Sequence, residues 1–193
     1  MWRARSQDEG SDAMQIPFSA FAEDCTVSGE LALPTDRLSD FLTSTDEYEV
    51  ANPSFRALDD GRTVTAESST IGRDDLFVVM ATGPRGRPDR RLWTRHYPVR
   101  CRVGPYTVFG YLHAPPTIDP MRRTDRRPIV ALTESTLEYT AGGEVMRIEA
   151  EAVLVNSAKI DRLEAANTQD PFLANDLALP SRLVARAKDL TGA

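Results

Sequence analysis

Cysteine, histidine and long apolar runs are scarce in this sequence. The two cysteines, Cys25 and Cys101, are too few for a disulfide framework or a structural zinc site. We expect them to be small apolar residues of the interior, and a single bridge between them stays open at this point. No apolar run approaches the roughly 18 residues of a membrane-spanning helix, and residues 1–13 contain no apolar stretch typical of a secretory signal. These absences predict a cytoplasmic protein without a membrane segment.

The motifs of common catalytic sites are also missing. The only histidines are His96 and His113, and neither has a second histidine or a glutamate at metal-ligand spacing. There is no Gly-x-Ser-x-Gly motif, and segment 83–89 has prolines where a phosphate loop needs backbone N–H groups. Asp40, on a short predicted helix, and Asp74, in a predicted turn, have local structural explanations. The sequence therefore predicts no enzyme, no cofactor and no metal.

Positive charge is carried almost entirely by arginine, and much of it lies in one segment. The chain has 21 arginines, 2 lysines and a net charge of −6. Residues 85–127, which we call the basic segment, contain eleven arginines and three acidic residues, a net charge of +8 that leaves −14 for the rest. An acidic chain is not typical of a general nucleic-acid-binding protein. The basic segment is therefore the local feature that needs an explanation.

Similar stretches occur in the two halves of the chain. Residues 25–34 read CTVSGELALP and residues 106–115 read YTVFGYLHAP. Alternating apolar residues, with Gly29 or Gly110 inside, predict a half-buried strand that bends or bulges at its glycine. Residues 48–62 then correspond to 130–144, each ending in a glycine turn, and residues 65–80 to 147–162, which sets Ile71 opposite Val153. Three matches in one order predict a duplicated small β unit.

This repeat defines the predicted domains. They are a disordered tail (1–15), a first β-barrel repeat (16–82), an Arg/Pro/Gly linker (83–97), a second β-barrel repeat (98–165) and a C-terminal helical segment (166–193). In the first copy, residues 36–45 predict a short helix that Asp36 caps, with Leu38, Phe41 and Leu42 on one face. The corresponding stretch 117–128 contains Pro120 and four arginines, which predicts no such helix.

The order of strands and turns resembles the Sm-like and SH3-like small barrels. Residues 152–164 are similar to the second Sm signature, although Asn156 and Ser157 stand where RNA-binding Sm proteins have Arg-Gly-Asx, so the resemblance does not extend to their uridine pocket. Residues 29–34 and 37–42, GELALP and RLSDFL, resemble a family of small bacterial domains with the pattern Gly-x-Leu-x-Leu-Pro followed by Arg-Leu-Ser-Asp-x-Leu. These resemblances imply a mainly β protein of two tandem SH3/Sm-like barrels and bring no assigned activity with them. The apolar spacing of Leu183, Val184 and Leu190 adds a C-terminal helical segment.

Two functions fit these observations. The leading hypothesis is a scaffold or adaptor that forms a homo-oligomer or binds a protein partner through its barrel edges, with the arginines paired to acidic surface. The alternative is single-stranded nucleic-acid (RNA) binding by the basic segment, where Tyr97, Tyr106, Phe109 and Tyr111 follow the arginines and base stacking contributes about 1–3 kcal/mol per base. The candidate nucleic-acid or anion-binding residues are Arg90, Arg91, Trp93, Arg95, Arg122, Arg123, Arg126 and Arg127.

Overall fold

The protein is mainly β, with one α-helix in the part that the structure covers. The computed structural model describes residues 13–84, 93–121 and 127–166. The first half holds β1 (Met14–Ala22), β2 (Cys25–Leu33), α1 (Leu38–Ser44), β3 (Glu47–Ala57), β4 (Thr63–Thr65), β5 (Ser68–Gly72) and β6 (Leu76–Met80). The second half holds β7 (Arg95–Val103), β8 (Tyr106–Ala114), β9 (Ile129–Ala141), β10 (Glu144–Asn156) and β11 (Ile160–Ala165).

All the strands belong to one antiparallel sheet. Its order is β11-β7-β8-β9-β10-β6-β1-β2-β3-β4, and β5 also pairs with β3. Both halves have the same strand order. The last strand of each half pairs with its first strand, β6 with β1 and β11 with β7. From the first strand onward, neighbours in sequence then pair in turn, as far as β4 in the first half and β10 in the second. The described strands form one open sheet, whereas the sequence predicted two tandem small barrels.

The glycine bends predicted from the sequence are confirmed. The register between β2 and β3 shifts at Gly29, and the register between β8 and β9 shifts at Gly110. A Cβ atom on Gly29 would lie 2.6 Å from Val50 Cγ1, and one on Gly110 would lie 2.7 Å from Ser135 Oγ. Each bend therefore brings the partner strand so close that only glycine fits.

One part of the sequence match is two residues out of step. The four residues of the turn between Ala57 and Arg62 correspond to six residues between Tyr139 and Met146. Beyond the turn, Ile71 therefore corresponds to Val155 and not to Val153, since Ile71 pairs with Tyr48 as Val155 pairs with Val130. The longer second hairpin accounts for the difference.

The two halves share their cores across the β6–β10 pair, which we call the joint. Phe77 and Val78 of β6 pack into the core of the second half, while Leu154 of β10 packs into the core of the first half. Asn156, which is 4% exposed, donates through Nδ2 to the carbonyls of Arg73 (3.2 Å) and Leu76 (3.0 Å). The joint is thus packed like a protein interior, with apolar side chains and one buried amide whose donor is hydrogen-bonded.

Three predicted boundaries differ from the structure. β1 already begins at Met14, inside the predicted tail, and β7 begins at Arg95, inside the predicted linker. Strand β1 extends back because Met14 pairs with Leu33, and β7 because Arg95 pairs with Ala114. The predicted helix of the first half is confirmed as α1, but its N-cap is Arg37 without a side-chain bond, so the predicted Asp36 cap is wrong. The C-terminal helix prediction falls on residues outside the described ones, apart from Ala166.

Candidate functional site

The structure places only part of the predicted nucleic-acid site. Trp93, Arg95 and Arg127 are described, and all three are exposed, Trp93 to 74%. Trp93 comes two residues before β7, Arg95 begins that strand, and Arg127 comes shortly before β9. The other candidates, Arg90, Arg91, Arg122, Arg123 and Arg126, lie outside the described residues, so the predicted common surface stays a prediction.

Among the described residues, the arginines of the basic segment form no ion pair. The ion pairs found in the described residues involve Arg62, Arg73, Arg147 and Arg162. None involves the described arginines of the basic segment, which are Arg95, Arg100, Arg102 and Arg127. The expected pairing of the basic segment with acidic surface stays a prediction, since no described acidic side chain forms an ion pair with these four arginines.

Arg100 and Arg102 belong to a surface that the sequence candidates omitted. Both project from β7 on the face opposite the core, since their neighbours Val99, Cys101 and Val103 are buried. The Arg100 guanidinium lies over the Phe109 ring at 5.2 Å from its centroid, a cation–π contact. The period-2 alternation of residues 99–103 is the signal that identifies these two arginines as outward-facing.

The aromatic residues of the basic segment do not form one exposed stacking platform. Tyr106 is fully buried in the second core, where its hydroxyl donates to the Ala22 carbonyl. Phe109 is 1% exposed, and Tyr97 is half-buried against the second core. The exposed ring that remains among the predicted candidates is Trp93. Stacking of several bases in a row on this segment is therefore not what the described rings support.

His96 and His113 form a pair that sequence reasoning missed. They are direct partners in the β7–β8 register, and their ring centroids lie 4.3 Å apart. His113 Nε2 lies 2.6 Å from Thr133 Oγ1, and its Nδ1 lies 3.3 Å from Thr94 Oγ1. Burial lowers the pKa of His113, and the neighbouring His96 lowers it further. Their sequence separation hides the pairing, which only the hairpin register reveals.

This pair and the two cysteines are the remaining candidates for a metal or nucleophilic site among the described residues. No group of three or more His, Cys, Asp or Glu side chains in the described part of the chain is arranged to hold a metal ion. Both cysteines are free, and burial raises the pKa of the Cys101 thiol to about 12. A buried thiol that stays protonated is a poor nucleophile, and Cys101 therefore acts as a core residue.

An unpaired strand edge lies at the end of the first half. β5 pairs with β3 on one side, and no described strand pairs with its other side. The Arg73 N–H donates to the Asp46 carbonyl (2.7 Å), and the Asn52 N–H donates to the Glu67 carbonyl (2.8 Å). Since main-chain groups alternate in direction along an antiparallel strand, those of Ser68, Thr70 and Gly72 point away from β3. We call these outward groups the β5 edge.

The equivalent edge in the second half is occupied. Residues 152–156 of β10 correspond to residues 68–72 of β5, and Val153, Leu154 and Val155 pair with β6. The Ala81 N–H also donates to the Ala152 carbonyl at 3.1 Å. The β5 edge is thus the position at which the second half binds a strand, left without one among the residues described.

Comparisons with known proteins add no identification. No protein family, curated protein or solved structure matches the chain. Among the residues that the structure covers, no helix has both the length and the apolar character needed to cross a membrane.

Proposed function

We propose that this protein is a non-catalytic scaffold or adaptor that assembles with itself, or with a protein partner, through an open edge of its sheet. The observation that carries the proposal is the β5 edge, whose counterpart on β10 is paired by β6. Unpaired N–H and C=O groups on an edge strand are a template for another strand. The predictions of a cytoplasmic location, no cofactor and no catalysis stay predictions.

The absence of the usual protection supports this role for the β5 edge. Edge strands are commonly shielded by charged side chains or proline. Residues 63–72 contain one charged residue, Glu67, and no proline. By contrast, β11 at the other end of the sheet carries Asp161, Arg162 and Glu164 within six residues. Of the two ends, β5 is the one suited to accept a strand.

We further propose that the two halves are copies of one unit related to the SH3/Sm-like barrels. The common strand order, the matching bends at Gly29 and Gly110, and the positive φ angles of Asn52 (49°) and Glu134 (47°) at corresponding positions support a duplication. In this proposal β6 of the first unit pairs with β10 of the second, which joins the two units into one open sheet. The edge of β5 corresponds to the edge of β10 that β6 covers, and among the described residues it stays unpaired.

Sedimentation velocity of the full chain, at concentrations from about 1 µM to about 1 mM, tests the self-assembly proposal. We expect a reversible shift from monomer to a larger species as concentration rises, because mass action favours edge pairing. A chain that stays monomeric over this whole range contradicts self-assembly and leaves only a different protein as partner.

A second candidate function is binding of single-stranded nucleic acid by the basic segment. The observation that favours it is that Arg95, Arg100, Arg102 and Arg127 form no ion pair within the described residues, while Trp93 is exposed nearby in sequence. Cationic side chains and an exposed ring suit a polyanion with bases. Serine substitution of two of these arginines, with the salt dependence of binding as the readout, tests it.

A further inference from the structure

We infer that the β5 edge binds the β5 edge of a second copy, antiparallel, around a two-fold axis that passes at Thr70. This inference rests on the proposed self-assembly and names its surface, register and symmetry. It predicts an isologous dimer, in which each copy uses the same strand.

The direction of the main-chain groups restricts the register to those that set outward residues of the two copies opposite one another. Thr70 points its N–H and C=O outward, so two copies centred on this residue can exchange both hydrogen bonds between Thr70 and its counterpart. The N–H of Ser68 in each copy then meets the carbonyl of Gly72 in the other. The N–H of Gly72 needs no partner in the other copy, because it already donates to Asp75 Oδ2 at 3.2 Å. A register centred on Ser69 would also set the outward groups of Ser68 and Thr70 opposite one another, so the side chains decide between the two registers.

The side chains agree with this register. Ser68 lies opposite Gly72, Ser69 opposite Ile71, and Thr70 opposite its own counterpart, so no charge is placed against a like charge within β5. At the flanks, Glu67 of one copy lies opposite Arg73 of the other, which already pairs with Asp46 at 2.8 Å within its own copy. A register centred on Ser69 would instead set Glu67 opposite the buried Ile71. Cross-strand Thr pairs and opposite-charge pairs each stabilise a sheet by about 0.2–1 kcal/mol.

The other free end of the sheet, β11, is a poorer occupant of the β5 edge. It follows a 3₁₀ turn as β6 does, so Asp161 and Arg162 stand where β6 has Phe77 and Val78. In the joint these two apolar residues are 8% and 0% exposed. A repeat of the joint between copies would bury the Asp161 and Arg162 side chains against Ile71, and burial of charge is costly. Assembly through β11 would also be head-to-tail and would not stop at two copies.

Thr70→Pro and its control Thr70→Val separate edge pairing from other contacts. Proline removes an outward N–H and leaves the bonds to β3 intact, because Thr70 directs neither main-chain group to β3. We expect sedimentation to show a dimer for the wild type and for Thr70→Val, and loss of the dimer for Thr70→Pro with unchanged circular dichroism. If Thr70→Pro fails to fold, charge exchange at the same position tests edge pairing in its place.

Charge exchange at the same position tests the two-fold symmetry. Thr70→Lys and Thr70→Glu each place like charges opposite one another, so each alone should lose the dimer. An equimolar mixture should recover it as a one-to-one heterodimer, since residue 70 faces residue 70 of the other copy. A mixture that stays monomeric, or a wild type that grows beyond two copies, overturns the symmetric register. A wild-type dimer that persists in folded Thr70→Pro overturns the inference but leaves self-assembly standing, whereas a wild type that never associates overturns both.

Discussion

At the scale of single residues, His113 on β8 makes the stability of the folded chain depend on pH. Its pKa lies below the ordinary value of 6.5 because burial and the adjacent His96 disfavour the protonated ring. The unfolded chain therefore binds the proton more readily. The resulting contribution to stability is complete above about pH 6.5 and is lost as the pH falls from there toward the lowered pKa.

NMR titration of the histidine ring protons tests this coupling. We expect His96→Gln to raise the pKa of His113, because a neighbouring positive charge is removed, and to reduce the loss of thermal stability on acidification. Arg162→Gln, which changes an ion pair on β11, is the control and should leave the His113 titration in place. An unchanged His113 pKa in His96→Gln would show that burial alone sets it.

Gly110 is a second residue at which local geometry has a measurable consequence. A Cβ atom there would lie 2.9 Å from the Thr133 carbonyl oxygen, a main-chain atom that cannot move away without shifting β9. We expect Gly110→Ala to lower the free energy of unfolding by about 1–3 kcal/mol, the usual cost of overpacking. Gly142→Asn is the matched control, because this turn position has a φ of 57° that asparagine tolerates and no atom within 4 Å of the added Cβ. Urea denaturation of both variants measures the difference.

At the scale of elements, the joint depends on the buried amide of Asn156. Its Nδ2 faces two carbonyls, those of Arg73 and Leu76, and its Oδ1 accepts from the Ala158 N–H at 3.1 Å. Asn156→Ala leaves these groups without partners and should cost about 1–3 kcal/mol. Asn156→Asp should cost more at pH 7, since a carboxylate would face two carbonyl oxygens. Urea denaturation at pH 7 and pH 4 checks this: the excess cost should shrink as the carboxyl is protonated, and equal costs at both pH values would contradict it.

The elements also show why the sequence predicted much of the fold but not its continuity. The strands around Gly29 and Gly110 and the helix α1 follow local periodicities of two or about 3.6 residues, which a sequence displays directly. The joint depends on a contact between distant strands, yet a signal for it existed. Residues 76–80 read LFVVM, an unbroken apolar run typical of a strand buried on both faces, whereas the matching residues 160–164 read IDRLE. The His96–His113 pair and the direction of the Thr70 main chain depend on register, which composition does not encode.

At the scale of the whole molecule, the acidic chain and its basic segment make opposite predictions for nucleic acid. The net charge of −6 repels a polyanion, while Arg100 and Arg102 are exposed, lie on one face of β7 and form no ion pair among the described residues. If these two arginines contact phosphates, the slope of log affinity against log salt is about −0.7 per contact for a single strand. Replacing both by serine should then flatten the slope by about 1.4 and weaken binding to all sequences alike.

Arg62→Ser is the control, because this exposed arginine of the first half is already paired with Asp60 at 3.0 Å. Fluorescence anisotropy with a labelled single-stranded RNA at several salt concentrations measures the slopes. Under the scaffold hypothesis no variant binds at physiological salt, because the repulsion of the whole chain outweighs two local charges. Salt-sensitive binding that the double variant loses and Arg62→Ser keeps would instead make nucleic acid the ligand of the β7 face.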